Sequence, residues 1–372
     1  MAGYYLTKMI AAPWIGSKSD KIGRKISLIA TFSGCSMTFL LTIAIGQNSM
    51  VGLFICRLLL GCFAANGALL MAYIRDAVPK SQQSMAFSQN SAAWGISSIA
   101  AATLLKLIKD DPTKCLSIAS MCMALSAAIV WIFFHDFSLK RAESVKLLSL
   151  AKSINGGEND GQMPSERHWY HDIHGVYKSM FKEPLVFWIH VIQTIMPAQD
   201  LAPLINTKFG LGASFIASIA SVRSVFRIAL PWTPLIPFLI ESMGYRKVGN
   251  NNESSATQLE KSQRKVAALM CIFMASVGAI VPFSSTPSTF LHMMTFKGIT
   301  AMIKDSTSKA IVSSLAKQDS IGAFFGFQHC IKGFAGVSSN MITGLLISYS
   351  PEAPYYFTTF CELGLAVVYL FA

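Results

Sequence analysis

The stretch GSKSDKIGRK, from Gly16 to Lys25, places four cations, one carboxylate and two glycines between two apolar segments. The rest of the chain is poor in charge: 13% of its 372 residues are charged and 52% are hydrophobic, whereas soluble domains carry roughly 25% charged residues. The mean hydropathy is +0.47. This composition is typical of an integral membrane protein, so the charged stretch has to be interpreted by its position relative to a bilayer.

The apolar segments have the length that a membrane-spanning helix needs, about 20 residues for a hydrocarbon core of roughly 30 Å. They lack the strict alternation of barrel strands, so we predict an all-α protein with about eleven spans. The predicted spans are 1–15, 27–46, 51–74, 84–106, 115–134, 184–204, 213–240, 266–283, 288–311, 320–347 and 354–372. The long polar stretch 135–183 predicts a linker between two transmembrane domains, 1–134 and 184–372.

The net charge of +12 is distributed unevenly among the loops. Lysines and arginines are concentrated in alternate loops, which is the positive-inside pattern of a multi-pass membrane protein. The pattern places Gly16 to Lys25 and the linker 135–183 in the cytosol, and it explains the basic balance without nucleic acid. It does not distinguish a plasma membrane from a vacuolar or other organellar membrane.

The spacing Gly16-x-x-x-Asp20-x-x-Gly23-Arg24-Lys25 resembles the signature loop of the major facilitator superfamily, which joins the second and third transmembrane helices there. The resemblance implies a bundle of two pseudo-symmetric six-helix halves, with this loop gating the cytosolic side. On physical grounds, we expect Asp20 to favour the positive end of the following helix and the two basic residues to anchor at the anionic inner surface.

Two further patterns extend the resemblance. Arg57 in RLLLGCFAA, followed by Gly61, resembles the family's fourth-helix pattern and implies a candidate for proton coupling; an arginine inside a span should face the bundle interior or a water-filled cavity. In the second half, Lys297 takes the place of Arg57, and a second cationic turn repeats the first. The residues of that turn are Glu241, Gly244, Arg246 and Lys247.

The branch that this sequence resembles is the drug:proton antiporter type, including zinc-induced-facilitator-like proteins. The resemblance lies in the segments 75–101 and 206–247. In that branch the fifth helix carries a Gly-Pro and paired glycines, whereas this chain reads AAATLLK at 100–106. The departure weakens the expectation of antiport more than that of transport.

Only fifteen residues precede Gly16, whereas the signature loop of the family has two spans ahead of it. Fifteen helical residues reach about 22 Å, which is short of the bilayer core. We therefore expect the first helix to be missing. The chain would then be a fragment, an incomplete gene model or a divergent eleven-span form.

Polar side chains inside the predicted spans are the candidates for a substrate cavity. Asn90 and Trp94 lie one turn apart on a helix and share a face, as do Arg223 and Arg227. Two stacked arginines imply water, a carboxylate or an anionic substrate beside them, so a role in an anion or proton pathway and a structural pairing both remain open. Further cavity candidates are Lys297 and Lys332. Glu362 is the best placed carboxylate, and it could pair with one of the cations of the second half or carry a proton.

We predict a secondary active transporter of a small solute, driven by protons and working by alternating access as a monomer. We expect no enzymatic activity, cofactor or metal; His168, His171 and His174 in the linker are more typical of a solvated segment than of a metal site. The alternatives are a non-transporting membrane sensor or scaffold on a transporter fold, or a non-functional truncated gene product.

Overall fold

The computed structural model of the chain describes residues 2–46, 49–108, 111–135, 183–196, 201–211, 213–244, 253–315 and 321–371. Regular secondary structure in these ranges is helical, which confirms the predicted all-α class. The α-helices are α1 Ala2–Ile22, α2 Arg24–Leu41, α3 Met50–Phe63, α4 Asn66–Ala77, α5 Gln83–Ile108, α6 Pro112–Phe133, α7 Pro184–Ile195, α8 Leu201–Phe209, α9 Ala213–Ala229, α10 Leu235–Ser242, α11 Glu253–Ile280, α12 Pro287–Leu315, α13 Ile321–Tyr349 and α14 Ala353–Phe371.

Three of the predicted spans are broken helices rather than continuous ones. The pair α3 and α4 occupies the third span, α7 and α8 the sixth, and α9 and α10 the seventh. Pro231 and Pro234 separate α9 from α10, with a short 3-10 turn at Leu230–Trp232 between them. Proline has no backbone N–H to donate and its ring crowds the preceding turn, so a helix ends or bends there.

Six helical segments among the described residues are long and apolar enough to cross a bilayer. They are Arg24–Gly46, Met50–Ala77, Pro112–Phe133, Thr257–Phe283, Ile321–Tyr349 and Ala353–Phe371. The other predicted spans are shorter or more polar: α9 has 17 residues, and α12 carries three lysines and an aspartate. A multi-pass membrane protein is therefore supported by length and composition, and the full number of eleven spans stays a prediction.

One compact unit is formed by the described residues of 2–77, 111–135 and 321–334. In this unit α1 packs against α3, and α2 packs against α6 and α4. Its core contains Leu28, Leu69 and Val130. Ser36 on α2 and Ser120 on α6 join their helices through a hydroxyl–hydroxyl hydrogen bond of 2.9 Å, so their polar groups are satisfied inside an apolar contact.

The second compact unit is formed by the described residues of 78–108, 183–315 and 335–371. Helix α11 packs against both α12 and α14, while α5 packs against α9 and α12. Three apolar clusters fill the unit. Their buried residues include Ile189 and Cys271 in the first, Ile236 and Val266 in the second, and Ile219 and Phe290 in the third. Helix α12 thus has one side toward α11 and another toward α5 and α9. The helix carries three lysines and an aspartate, Lys297, Lys304, Asp305 and Lys309.

These units do not follow the predicted division into 1–134 and 184–372. Helix α5 lies in the first predicted domain and packs within the second unit, while the first part of α13 packs within the first unit. The division by sequence halves stays a prediction. Several predicted features lie outside the described residues: the linker apart from its ends, with its three histidines, as well as Arg246 and Lys247.

The start of α6 shows how a loop carboxylate is used in this fold. Asp111 is the N-cap of α6, and its Oδ1 accepts hydrogen bonds from the backbone N–H of Thr113 at 3.0 Å and of Lys114 at 3.3 Å. The hydrogen bonds from the backbone and side chain of Lys114 are the main reasons that the pKa of Asp111 is lowered from its ordinary value. A capping carboxylate is thus held in its charged form.

Candidate functional site

The charged stretch from Gly16 to Lys25 is mostly helical, which corrects the prediction that it forms a turn. Helix α1 continues through Asp20 to Ile22, and α2 begins at Arg24. The break between them is Gly23, whose φ is 110°. This left-handed conformation strains any residue with a Cβ, so a glycine is needed at this one position for the chain to reverse.

Asp20 contacts a helix that is distant in sequence. Its Oδ1 accepts a hydrogen bond of 2.9 Å from the backbone N–H of Gly322, and its Oδ2 accepts one of 3.0 Å from that of Ala323. Both N–H groups belong to the first turn of α13, where unpaired donors and the helix dipole favour a negative charge. We expected Asp20 to stabilise the start of α2; the structure shows it at the start of α13 instead, and Gly23 provides no side-chain cap for α2.

Arg24 lies in the centre of this contact and is only 2% exposed. Its Nη2 donates to Asp20 Oδ1 at 2.5 Å, its Nε donates to Asp76 Oδ2 at 3.1 Å, and its Nη1 donates to the hydroxyl of Ser19. We expected Arg24 to anchor at the anionic membrane surface. Its guanidinium is instead buried between two carboxylates, so it does not reach a lipid surface. Lys25 is half-buried, with its Nζ 5.6 Å from the ring centroid of Trp131.

Three residues of this cluster were missed by sequence reasoning: Ser19, Asp76 and Gly322. A Cβ at Gly322 would meet the carbonyl oxygen of Gly16 and the guanidinium of Arg24. A Cβ at Gly16 would in turn meet the carbonyl oxygen of Gly322. The two glycines therefore let α1 and α13 approach until their backbones touch. The sequence did offer a reason to single out Asp76, because it is a lone carboxylate at the end of a predicted span. It offered no such reason for Gly322.

The predicted second turn of this type is partly described. Gly244 follows α10 and has a φ of 104°, close to the 110° of Gly23. Its N–H donates to the carbonyl of Glu241 at 3.0 Å, and its own carbonyl accepts from Gln258 Nε2 at 2.8 Å. The side chain of Glu241 is exposed. Both turns thus place a glycine with a positive φ after a helix, and the internal repeat stays a prediction.

A buried ion pair joins α12 to α14. Lys304 Nζ donates to both carboxylate oxygens of Glu362, at 2.7 Å and 3.0 Å. Glu362 is completely buried, and the Lys304 side chain is 13% exposed. Glu362 was predicted as a candidate for proton coupling, and Lys304 was not singled out because its sequence context resembles that of any lysine near a span end.

Lys297, two helical turns before Lys304, lies in the same region and is 3% exposed. Its Nζ lies 6.0 Å from the ring centroid of Tyr355 and makes no hydrogen bond to another described residue. The ammonium fills the space beside Gly278, where an added Cβ would lie 3.1 Å from it. Glu362 is the carboxylate that attracts the Lys297 ammonium electrostatically. The single carboxylate of Glu362 thus lies near two buried lysines, Lys297 and Lys304.

A polar pocket of about 250 Å³ lies between α5, α9 and α12. It unites two predicted cavity residues, Trp94 and Arg227, with charged side chains of α12 that were not predicted. The lining residues are Ser91, Trp94, Arg227, Ala301, Met302, Asp305 and Lys309.

The remaining predicted residues do not line this pocket. Arg223 lies over Gly298, where an added Cβ would be 2.6 Å from its Nε. Asn90 is half-buried one turn before Trp94, Lys332 is half-buried on α13, and Arg57 is exposed on α3. Their predicted roles in substrate binding or proton coupling stay predictions.

Comparisons with known proteins agree with this architecture. The structure resembles that of the human organic anion transporter MFSD10 (TETRAN), with a TM-score of 0.65 and 10% identity over 99% of this chain and 82% of that one. It also resembles a bacterial homologue of the iron transporter ferroportin in its outward-facing state, with a TM-score of 0.66 and 14% identity over 99% and 88% of the two chains. At these identities the likeness concerns the fold alone.

Two curated sequences are also similar to this chain. The Escherichia coli tetracycline resistance protein, class B, is 28% identical over 264 residues, which are 66% of this chain and 61% of that protein. The Salmonella ordonez protein of class D is 27% identical over 135 residues, 36% and 34% of the two chains. This chain thus spans less than two thirds of either relative.

The sequence profile of the Major Facilitator Superfamily matches residues 1–250, which is more than half of the chain. This match covers the charged stretch at the end of α1, the broken third span and the turn at Gly244. Together with the helical architecture, it shows that the chain belongs to the Major Facilitator Superfamily of membrane transporters.

Proposed function

We propose that this protein is a secondary active transporter that moves a small solute by alternating access, coupled to protons. The observation that carries the proposal is the polar pocket between α5, α9 and α12, because charged side chains grouped around a cavity inside a membrane-embedded bundle are costly unless they serve a polar solute or ion. In this proposal the bundle is organised as two pseudo-symmetric halves; the similar positive φ angles of Gly23 and Gly244, each after a helix, agree with this.

Asp20 and Arg24 form the cytosolic gate in this proposal. They tie the end of α1 and the start of α2 to the first turn of α13 through the hydrogen bonds described above. Opening on this side requires the carboxylate to leave two backbone donors, and a charge-assisted hydrogen bond of this kind contributes roughly 1.5–3 kcal/mol. The contact is strong enough to favour the state that is closed to the cytosol, and weak enough to be broken in each transport cycle.

Glu362 carries the proton in this proposal. It is a fully buried carboxylate whose charge is balanced by Lys304, with Lys297 as a second cation nearby. Protonation of Glu362 would remove the ion pair and leave two cations without a counter-charge, which gives the protein two electrostatic states.

Reconstitution of the full chain into proteoliposomes tests the proposal. A pH gradient is imposed, uptake of a panel of radiolabelled organic acids, bases and neutral solutes is measured, and an internal pH-sensitive dye reports accompanying proton movement. We expect gradient-dependent flux of at least one solute, abolished when a protonophore collapses the gradient. Protein-free vesicles are the control. Absence of gradient-dependent flux for every solute would instead favour a membrane sensor or scaffold.

A further inference from the structure

The charges around the α5, α9 and α12 pocket do not balance. Arg227 and Lys309 contribute two positive charges and Asp305 one negative charge. The carboxylate of Asp305 is paired with Lys309, since Oδ2 and Nζ are 2.5 Å apart. No carboxylate of the described chain forms an ion pair with Arg227. Among the described residues, the pocket wall therefore carries one more positive than negative charge, and the guanidinium of Arg227 is the cation that is not ion-paired.

A second arginine increases this imbalance. Arg223 lies one turn before Arg227 on α9, and the two guanidinium groups repel each other. The Nε of Arg223 is buried and has no hydrogen-bond acceptor among the described residues. Because Arg223 is turned over Gly298 on α12, it adds positive charge beside the pocket without filling it. The local field favours a negatively charged occupant.

The remaining walls define the shape of that occupant. Trp94, which is 65% exposed, lines the pocket, while Ala301 and Met302 form an apolar wall on α12. Helices α5 and α9 are held close together at Gly95, where an added Cβ would lie 2.9 Å from the carbonyl oxygen of Ser224 and 3.1 Å from Arg227 Cβ. The backbone contact fixes Trp94 relative to Arg227.

The volume of about 250 Å³ is below the range of roughly 300–1,000 Å³ that drug-sized ligands occupy. An arginine side chain binds a carboxylate through two parallel N–H donors, which a lysine does not provide. We propose that this pocket binds a small organic acid, with its carboxylate on Arg227 and its apolar body against Trp94. The inference rests on the proposed function and names the substrate class of the same site.

Equilibrium binding to the purified full chain in detergent tests the inference without requiring transport. The probes are benzoate, its neutral isostere benzamide and the cation benzylammonium, each titrated by calorimetry. We expect benzoate to bind and the other two to bind at least about tenfold more weakly, because they lack the charge that Arg227 recognises. Equal binding of benzoate and benzamide, or no binding of benzoate, would overturn the inference.

Substitutions locate the site. Arg227→Gln should weaken benzoate binding about tenfold or more, and Arg227→Lys should also weaken it, since the charge is kept but the paired donors are lost. Arg264→Gln on α11 is the matched control, because Arg264 forms an ion pair with Glu260 and is not among the residues that line the pocket. Trp94→Ala provides a second variant at an exposed position that should fold normally and also weaken binding. Wild-type affinity in both Arg227→Gln and Trp94→Ala would overturn the assignment.

Flux and binding together separate this inference from the proposed function. Gradient-driven transport of a neutral or cationic solute with no benzoate binding would overturn the inference and support the proposed function. Benzoate binding that depends on Arg227, with no gradient-driven flux of any solute in the proteoliposomes, would support the inference and contradict the proposed function.

Discussion

Replacing Glu362 by glutamine should destabilise the protein far more than breaking an equally short ion pair elsewhere in the same unit. The carboxylate is completely buried and lies 2.7 Å from Lys304 Nζ. In Glu362→Gln the ammonium of Lys304 stays buried without its counter-charge. Removing one partner of a buried pair costs about 3–5 kcal/mol, which corresponds to a change of more than roughly a hundredfold in the unfolding equilibrium.

The pair of Glu260 and Arg264 on α11 is the matched control. Its atoms are 2.6 Å apart, so its geometry is as good as that of the buried pair, but the two side chains are 28% and 24% exposed. Water can solvate the arginine when the carboxylate is lost, and helical pairs of this spacing contribute only about 0.3–0.5 kcal/mol. Glu260→Gln should therefore change the free energy of unfolding by less than about 1 kcal/mol.

The assay is equilibrium unfolding in detergent micelles, monitored by tryptophan fluorescence. It compares Glu362→Gln, Glu260→Gln and the double variant Glu362→Gln/Lys304→Met. The double variant should recover part of the lost stability, because it removes the stranded ammonium of Lys304, while Lys297 still loses the carboxylate that acts on it. Equal effects of the two single variants would refute the reasoning that burial determines the cost. A double variant as unstable as Glu362→Gln would show that the loss does not come from the stranded ammonium of Lys304.

Three further predictions concern the charged turn and the helix contacts. Asp20→Asn should abolish flux in proteoliposomes while the protein still inserts. Asp111→Asn, at another helix start, is the control and should retain flux. Normal flux in Asp20→Asn would show that the contact is not a gate. Gly322→Ala should lower the thermal midpoint, at a cost of about 1–3 kcal/mol, because its Cβ would meet backbone of the facing helix. In Gly344→Ala on the same helix no atom lies within 4 Å of the added Cβ, so the midpoint should stay the same or rise, and equal losses in both would contradict the close-approach argument. Gly244→Ala should cost about 1–2 kcal/mol from backbone strain alone, since its φ is 104° with open space around it; an unchanged midpoint would contradict this.

The helical class and the family could be predicted from the sequence because they depend on local properties. Apolar runs of bilayer length favour helices whatever their neighbours are. The distribution of lysines and arginines among loops orients them, and the spacing from Gly16 to Lys25 carries the family resemblance that the profile match confirms. Helix breaks were harder to predict: prolines lie in the sequence between α9 and α10 and between α7 and α8, but none lies between α3 and α4.

The partners of the candidate site residues depend on contacts between distant segments. Asp20 was recognised by its motif, but it accepts hydrogen bonds from the backbone of Gly322 and Ala323, which lie about 300 positions later in the chain. Trp94 and Arg227 were predicted separately, and the packing of α5 on α9 brings them to one pocket. Charge and hydrophobicity along the chain determined which residues are costly to bury; only the tertiary structure decided which of those charges found a partner, because that depends on which helices pack together.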